Sequence, residues 1–259
     1  MNYYEDHSRV SNSMLGVLKK SAELYYLRYV LGIDKQKDTP EIKLGRFVHA
    51  LILEPDTVTD KYACVPKVDR RTKDGKAIYE RIVCEHQGKE LIDYESWQQA
   101  MQMAEAVRNH GECKQVFRSQ YDVELELTFN LFDTPCKSKL DLFNPSRNLI
   151  LDVKTIADSS QESFEYSVRK YGYCRQAAIY SKAVELLYNV RPRFIFAVVS
   201  SSEPYIAACY EPDSVFLDIG LHEASKLLDE LRRRTEQNDW TSDYAKGVNV
   251  LSPSKYHFS

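Results

Sequence analysis

Two aspartates, Asp141 and Asp152, lie in apolar runs that otherwise belong inside a protein, Lys139-Leu140-Asp141-Leu142-Phe143 and Asn148-Leu149-Ile150-Leu151-Asp152-Val153-Lys154-Thr155. Both runs read as strands. A carboxylate buried among apolar groups is strongly disfavoured unless positive charge compensates it, and a divalent cation would compensate both. Hard carboxylate oxygens favour Mg2+, with Mn2+ as a substitute, over zinc. Side chains alternate along a strand, so Asp152 and Lys154 share one side while Val153 takes the other. An ammonium then stands beside a metal-binding carboxylate, where it can hold or deprotonate a water aimed at a phosphorus atom.

The elements that must position these groups are legible from periodicity. Asn144-Pro145-Ser146-Arg147-Asn148 is rich in turn formers and predicts an antiparallel hairpin that brings Asp141 and Asp152 together. Ser11 or Ser13 can cap a helix carrying Met14, Leu15, Val17, Leu18 and Leu24, and this helix can run on toward Tyr29 and Val30. A polar break from Asp34 to Glu41 leads into a helix through His49 that stops near Glu54-Pro55. Residues 61–75 read as a loop or irregular strand, and residues 76–110 as helix, with Ile78, Ile82, Leu91, Trp97, Met101, Ala104 and Val107 apolar. From Tyr121 the period becomes two: Val123, Leu125, Leu127 and Phe129 alternate with Glu124, Glu126 and Thr128. Helices beginning near Ser159 and spanning Tyr173 to Tyr188 follow the hairpin. Strands Phe194–Val199 and Tyr205–Tyr210 and a helix from Asp213 to about Glu236 complete the pattern.

The arrangement of Asp141 followed by Asp152-Val153-Lys154 resembles the core of the PD-(D/E)XK nuclease superfamily. Gly45-Arg46-Phe47-Val48-His49-Ala50-Leu51-Ile52-Leu53-Glu54-Pro55 is similar to the helix that carries a metal-binding histidine in RecE-type exonucleases and RecB-like nucleases. Tyr171-Gly172-Tyr173-Cys174-Arg175-Gln176-Ala177-Ala178-Ile179-Tyr180 resembles the helix after the catalytic strand, where a glutamine and tyrosines line the site. The run from Ser11 to Ser21 resembles the opening helix of RecE-like phage and prophage proteins. Two departures stand out: Leu140-Asp141 replaces the Pro-Asp of the superfamily's name, and Ser21-Ala22 replaces a Ser-Pro common among relatives. Neither removes a reacting group.

The resemblance implies an α/β PD-(D/E)XK fold, a central mixed sheet flanked by helices, as one domain over residues 1–259. Residues 1–110 would be mainly helical and 121–236 would carry the core sheet. Asp141 and Asp152 would coordinate Mg2+, with His49 and the Val153 carbonyl completing the protein ligands and Lys154 acting on the water. His49 also has a plain reading as a satisfied core histidine among Phe47, Val48, Leu51 and Ile52. Gln176 could hydrogen-bond the lysine, a metal-bound water or a DNA phosphate. Tyr173 and Tyr180 share its helical face, with core packing as their ordinary role. Glu124, favoured slightly over Glu126, could add a carboxylate. His7, His86, His110, His222 and His257 lack any such context.

A net charge of -3 places no excess of positive charge behind nucleic-acid binding, so a local patch must supply it; Lys67, Arg70, Arg71, Lys73, Lys76, Lys137 and Lys139 are the candidates. The six cysteines are irregularly spaced, without Cys-x-x-Cys pairs or the terminal three-cysteine cluster of some RecB-like relatives, so no iron–sulfur cluster is expected. No apolar run approaches the roughly 20 residues of a membrane span and no cleavable signal opens the chain, which predicts a cytoplasmic protein of a bacterial cell, phage or prophage encoded. The family resemblance implies degradation of double-stranded DNA from its 5′ ends to leave 3′ single strands for recombination, a ring-shaped homotetramer, and work beside a single-strand annealing protein. The alternatives are a RecB-like or structure-specific nuclease and, in another class, a catalytically silent DNA-binding or assembly protein.

Overall fold

In the computed structural model, which describes residues 3–33, 38–69 and 71–250, the amino-terminal part is helical but more finely divided than its hydrophobic period suggests. Ser11 caps α1 (Asn12–Lys20), which buries Met14, Leu15 and Leu18. This helix does not run on unbroken. Ser21, extended at φ −165°, closes α1 with its amide and caps α2 (Ala22–Tyr25) with its hydroxyl, before a π turn at Tyr26–Val30. Of the polar break expected over 34–41, residues 34–37 lie outside the described residues. Thr39 caps α3 (Pro40–Leu53), and Pro40 sits in the first turn, where its missing N–H is not needed.

The strand allowed for residues 61–75 forms, while the single helix expected over 76–110 needs correction. After α4 (Val58–Lys61) the chain forms a true strand, β1 (Tyr62–Val65). The stretch read as one helix is α5 (Lys73–Glu85) and α6 (Tyr94–Asn109), separated by β2 (Glu90–Asp93), which pairs parallel with β1. Gly88, at φ 86°, makes the break, and Asp93 caps α6 by accepting the Ser96 amide at 2.9 Å. A four-residue strand is too short to disturb a helical hydrophobic period. Ile78 and Met101, assigned to the apolar stripe, are exposed. A further short helix, α7 (Gly111–Val116), follows.

The main sheet contains β3 (Asp122–Leu131), β4 (Thr134–Asn144), β5 (Leu149–Ile156), β6 (Arg193–Ser200) and β7 (Ala207–Tyr210), neighbours in that order. The β4–β5 turn is the expected hairpin, with Asn148 left-handed at φ 47°. Only β5 and β6 pair parallel, joined through α8 (Gln161–Tyr171) and α9 (Tyr173–Tyr188). The last strand starts later than expected because Tyr205 turns at φ 55°. The chain then forms α10 (Ser214–Gln237).

The sheet divides two cores. On one face Phe143, Ile150, Phe194, Phe196 and Val198 pack with residues of α1, α9 and α10; on the other Leu142, Leu151, Val153, Ile195 and Ala197 pack with α3, α6 and α7. This is the α/β arrangement expected from the sequence. Arg175 of α9, 1% exposed, ties the first layer together by donating to Asn12 Oδ1 at 2.8 Å and Glu223 Oε1 at 2.7 Å. A Cβ at Gly220 would lie 2.2 Å from the Cys174 carbonyl oxygen, so only glycine lets α10 approach α9 this closely.

One irregularity prepares the site. Leu140 and Leu142 should share a face by alternation, as should Val123 and Leu125, yet Leu140 and Leu125 belong to one core and Leu142 and Val123 to the other. The switch occurs at Glu124, left-handed at φ 53°, and at Asp141 opposite it. The single apolar face expected for the β3 strand therefore holds only beyond Glu124. Such local kinks re-aim side chains beside functional sites.

Candidate active site

β4 and β5 part where the acids stand. Their pairing runs from Asn144↔Leu149 through Leu142↔Leu151 and then stops. Past that point the Val153 N–H donates instead to Asp141 Oδ2, at 2.8 Å. Asp152, fully buried, projects from the opposite side of β5 to Val153 and forms an ion pair with Lys154 through Oδ2. Its other oxygen accepts a hydrogen bond from Gln176 Nε2 at 3.1 Å. Gln176 also hydrogen-bonds Tyr180, so it braces Asp152 rather than meeting Lys154 directly. The Lys154 ammonium lies 4.7 Å from the centre of the Tyr173 ring.

His49 enters from α3. Its Nδ1 is 3.6 Å from Asp141 Oδ2, and the ring hydrogen-bonds the Val153 backbone. The helix comes this close because Gly45 stands one turn before His49. A Cβ on Gly45 would lie 3.2 Å from Thr155 Oγ1 of β5. His49, Glu124, Asp141, Tyr173, Gln176 and Tyr180 all line one cleft of about 1010 Å³. Glu124 is held by Lys139 at 2.7 Å, whereas Glu126 is 4.0 Å from the same ammonium and does not line the cleft.

Burial controls the charges. It pushes both Asp141 and Asp152 up to about 6, against the opposing pull of Lys154; the Val153 amide further moderates Asp141, and Asp141 adds to the shift at Asp152. Burial also depresses Lys154, but the two aspartates outweigh it and hold the ammonium above its ordinary value. His49 is lowered by burial and then by Lys154, which keeps the imidazole neutral, the form that ligates a metal. Burial raises Tyr173, and raises Tyr180 further.

These residues fit a divalent cation. Asp152 Oδ2 is buried without a hydrogen-bond donor in proper geometry, although Lys154 touches it. Two crowded acids face one ammonium, because Lys139 is engaged by Glu124. The donor set of carboxylate and carbonyl oxygens with one imidazole suits Mg2+ or Mn2+.

The expected basic patch does not assemble as drawn. Lys137 is buried and gives its ammonium to the Tyr3 and Asp6 carbonyls, Lys67 pairs with Glu95 at 2.7 Å, and Arg71 pairs with Asp69 at 3.0 Å. Lys73 and Lys76 are exposed on α5, and Arg70 lies outside the described residues. A different group, Tyr166, Lys170 and Tyr171 of α8, lines the cleft, with Lys170 5.1 Å from the Tyr171 ring and 5.8 Å from that of Tyr166. Their i, i+4, i+5 spacing was the available signal, but nothing local distinguished them from ordinary helix-surface residues.

A mixed five-stranded sheet with an acid pair and a lysine at the parting of two strands defines a protein of the PD-(D/E)XK class. The sequence pattern of a PDDEXK-like domain of unknown function, DUF3799, matches residues 11–251, and the chain belongs to that family. Among curated proteins none matches this sequence. The fold is similar to that of a candidate exonuclease from Eubacterium rectale, 14% identical, over 99% of this chain and 96% of the other, with a TM-score of 0.67. A phage-related exonuclease from Haemophilus somnus 129PT, 15% identical, aligns over 88% of this chain and 96% of its own at a TM-score of 0.33, too loosely to support an argument. No helix among the described residues is long and apolar enough to cross a membrane.

Proposed function

We propose that this protein is a Mg2+-dependent exodeoxyribonuclease that degrades linear double-stranded DNA in the 5′-to-3′ direction and leaves 3′ single strands for recombination. The observation that carries the reading is that His49 and Asp141, which line one cleft, stand beside the buried Asp152–Lys154 ion pair. Asp141, Asp152, His49 and the Val153 carbonyl would hold the cation, for which Mn2+ could substitute. A cation bound there would supply charge stabilisation at the scissile phosphate and lower the pKa of water. Lys154 is placed to orient the attacking water, and Gln176 keeps Asp152 fixed through its amide. Tyr173 holds the ammonium in place through its ring face. Glu124 keeps Lys139 at the cleft wall. The presence of both acids and the lysine argues against a silent DNA-binding role, whose expected mark is the loss of one of them.

The resemblance to RecE-like phage and prophage exonucleases supports DNA ends as substrate, a homotetrameric ring, a bacterial cytoplasmic setting and a single-strand annealing protein as partner. Digestion of linear duplex labelled separately at its 5′ and 3′ ends, with Mg2+ and a closed circular control, tests the reading. Early release of the 5′ label with the circle intact is expected. Nicking of the circle shows an endonuclease, and binding without cleavage shows the silent alternative.

A further inference from the structure

Outside the nuclease cleft, His110, Cys113 and Cys209 form the only group of three His, Cys, Asp or Glu donors whose ligand atoms all lie within 4.8 Å of one another among the described residues. The Sγ atoms of Cys113 and Cys209 are 3.4 Å apart, and Cys209 Sγ is 3.2 Å from His110 Nδ1. From these three side chains we infer a second metal site, selective for a soft, tetrahedral divalent ion of the zinc type.

The backbone presents the ligands from three directions. His110 is the extended residue that closes α6 and opens α7, its amide donating to the Ala106 and Val107 carbonyls. Cys113 lies in the first turn of α7, so the local spacing His-x-x-Cys brings imidazole and thiol together. Cys209 comes from β7, which ends the sheet. Within that sheet Cys209 pairs with Ala197, which pairs with Val153, so the cluster lies two strands from the nuclease residues, about 10 Å across the sheet.

Geometry and charge favour coordination over packing of neutral thiols. A tetrahedral ion with bonds of about 2.3 Å to sulfur and 2.0–2.1 Å to nitrogen separates its ligand atoms by about 3.5–3.8 Å, within a few tenths of an ångström of the two spacings at Cys209, while all three ligand atoms lie within 4.8 Å of one another. Thiols are weak hydrogen-bond donors, a poor reason to gather two sulfurs and an imidazole at one corner. Cys113 is 1% exposed, and a lone thiolate there would be strongly disfavoured. Two thiolates and a neutral imidazole around a divalent ion sum to zero charge. The sulfur ligands also exclude Mg2+, which separates this site chemically from the carboxylate cleft. His110 and Cys209 are half-buried, leaving the fourth position to a water. Bound there, the ion fastens the edge strand to the α6–α7 corner and so restrains the otherwise open end of the sheet.

Cobalt(II) is the probe, added to the full chain purified under reducing conditions and stripped with a chelator. One equivalent should produce a thiolate-to-cobalt charge-transfer band and the intense visible bands of a tetrahedral site, all removed by one equivalent of Zn2+. Cys209→Ser should abolish the charge-transfer pattern of the two-thiolate site, and His110→Ala should weaken cobalt binding at least tenfold. Asp152→Ala should leave the bands unchanged, because its site offers no sulfur. Circular dichroism checks the fold of each variant; if Cys209→Ser does not fold, the His110→Ala titration decides. Absence of the band in wild-type protein, or a band indifferent to the substitution that decides, overturns the site. Conversion of Cys113 and Cys209 to a disulfide without metal uptake, seen by mass spectrometry, also overturns it.

Discussion

The Val153 N–H donates to Asp141 Oδ2 at 2.8 Å, across the gap where β4 and β5 cease to pair. An amide that loses its ladder partner must find another acceptor, and here the acceptor is an acid from the departing strand. The contact turns a local failure of the sheet into a fixed position for a carboxylate. The same Asp141 oxygen lies 3.6 Å from His49 Nδ1.

Asp152→Asn is expected to abolish Mg2+-dependent cleavage while stabilising the metal-free protein near neutral pH. The folded-state carboxyl is pushed up to about 6 from 3.8, so the folded protein retains a proton through a window in which the unfolded chain has lost it. This contribution is present below about pH 4 and is lost as pH rises through about 6, leaving the ionised Asp152 carboxylate a burden on the order of 2–3 kcal/mol. Thermal melts in chelator should show the variant above wild type at pH 7, with the difference fading toward pH 4. Wild-type cleavage by a folded variant would remove Asp152 from the site.

Stabilisation by Mg2+ should grow with pH across the same window. Ligating carboxylates must be ionised, and both Asp141 and Asp152 are pushed up to about 6. The Mg2+-induced rise in Tm should therefore be small near pH 5 and level off above about pH 7.5. A rise independent of pH assigns the effect to other groups.

Lys154→Met should reduce turnover by at least about 100-fold, the scale on which a single charge-stabilising donor acts. Metal binding measured by calorimetry should persist, because lysine is not a ligand. Loss of both together would make Lys154 a support for the acid pair rather than a participant in cleavage.

His49→Ala should raise the Mg2+ concentration needed for cleavage by about tenfold or more. Gly45→Val should move in the same direction while keeping the imidazole, because a Cβ at Gly45 already meets Thr155 Oγ1 at 3.2 Å and a branched side chain pushes α3 outward. Unchanged metal dependence with a large fall in Tm in His49→Ala would identify His49 as a packing residue.

Assembly provides the last expectation. A chain of net charge -3 in which Lys67, Arg71 and Lys139 are paired with acids holds a duplex weakly alone, whereas a ring gathers the cleft residues of several copies around it. Light scattering should find a tetramer, and cleavage should continue after addition of competitor DNA. A monomer with distributive cleavage removes the ring and leaves the site untouched.

The sequence alone determined the two acids, the lysine, the hairpin joining their strands and the sheet-and-helix alternation around them. Those features are local: Asn144 to Asn148 turns the chain, and alternation sets Asp152 and Lys154 opposite Val153. The helix of His49 was legible too, through the polar break before it and the Glu54-Pro55 stop after it. The tertiary structure alone decided where β4 and β5 separate, because the switch at Glu124 and Asp141 depends on how both strands meet two different cores. It also decided that Gln176 reaches Asp152, that Lys137 is buried against the amino-terminal carbonyls, and that a four-residue strand interrupts residues 76–110. His110 and Cys113 are neighbours in sequence, but Cys209 is 96 positions beyond Cys113 and reaches them only through the pairing of β7 with β6. Periodicity reports which face of an element is buried, while contacts between distant residues follow from packing, which no short window of sequence contains.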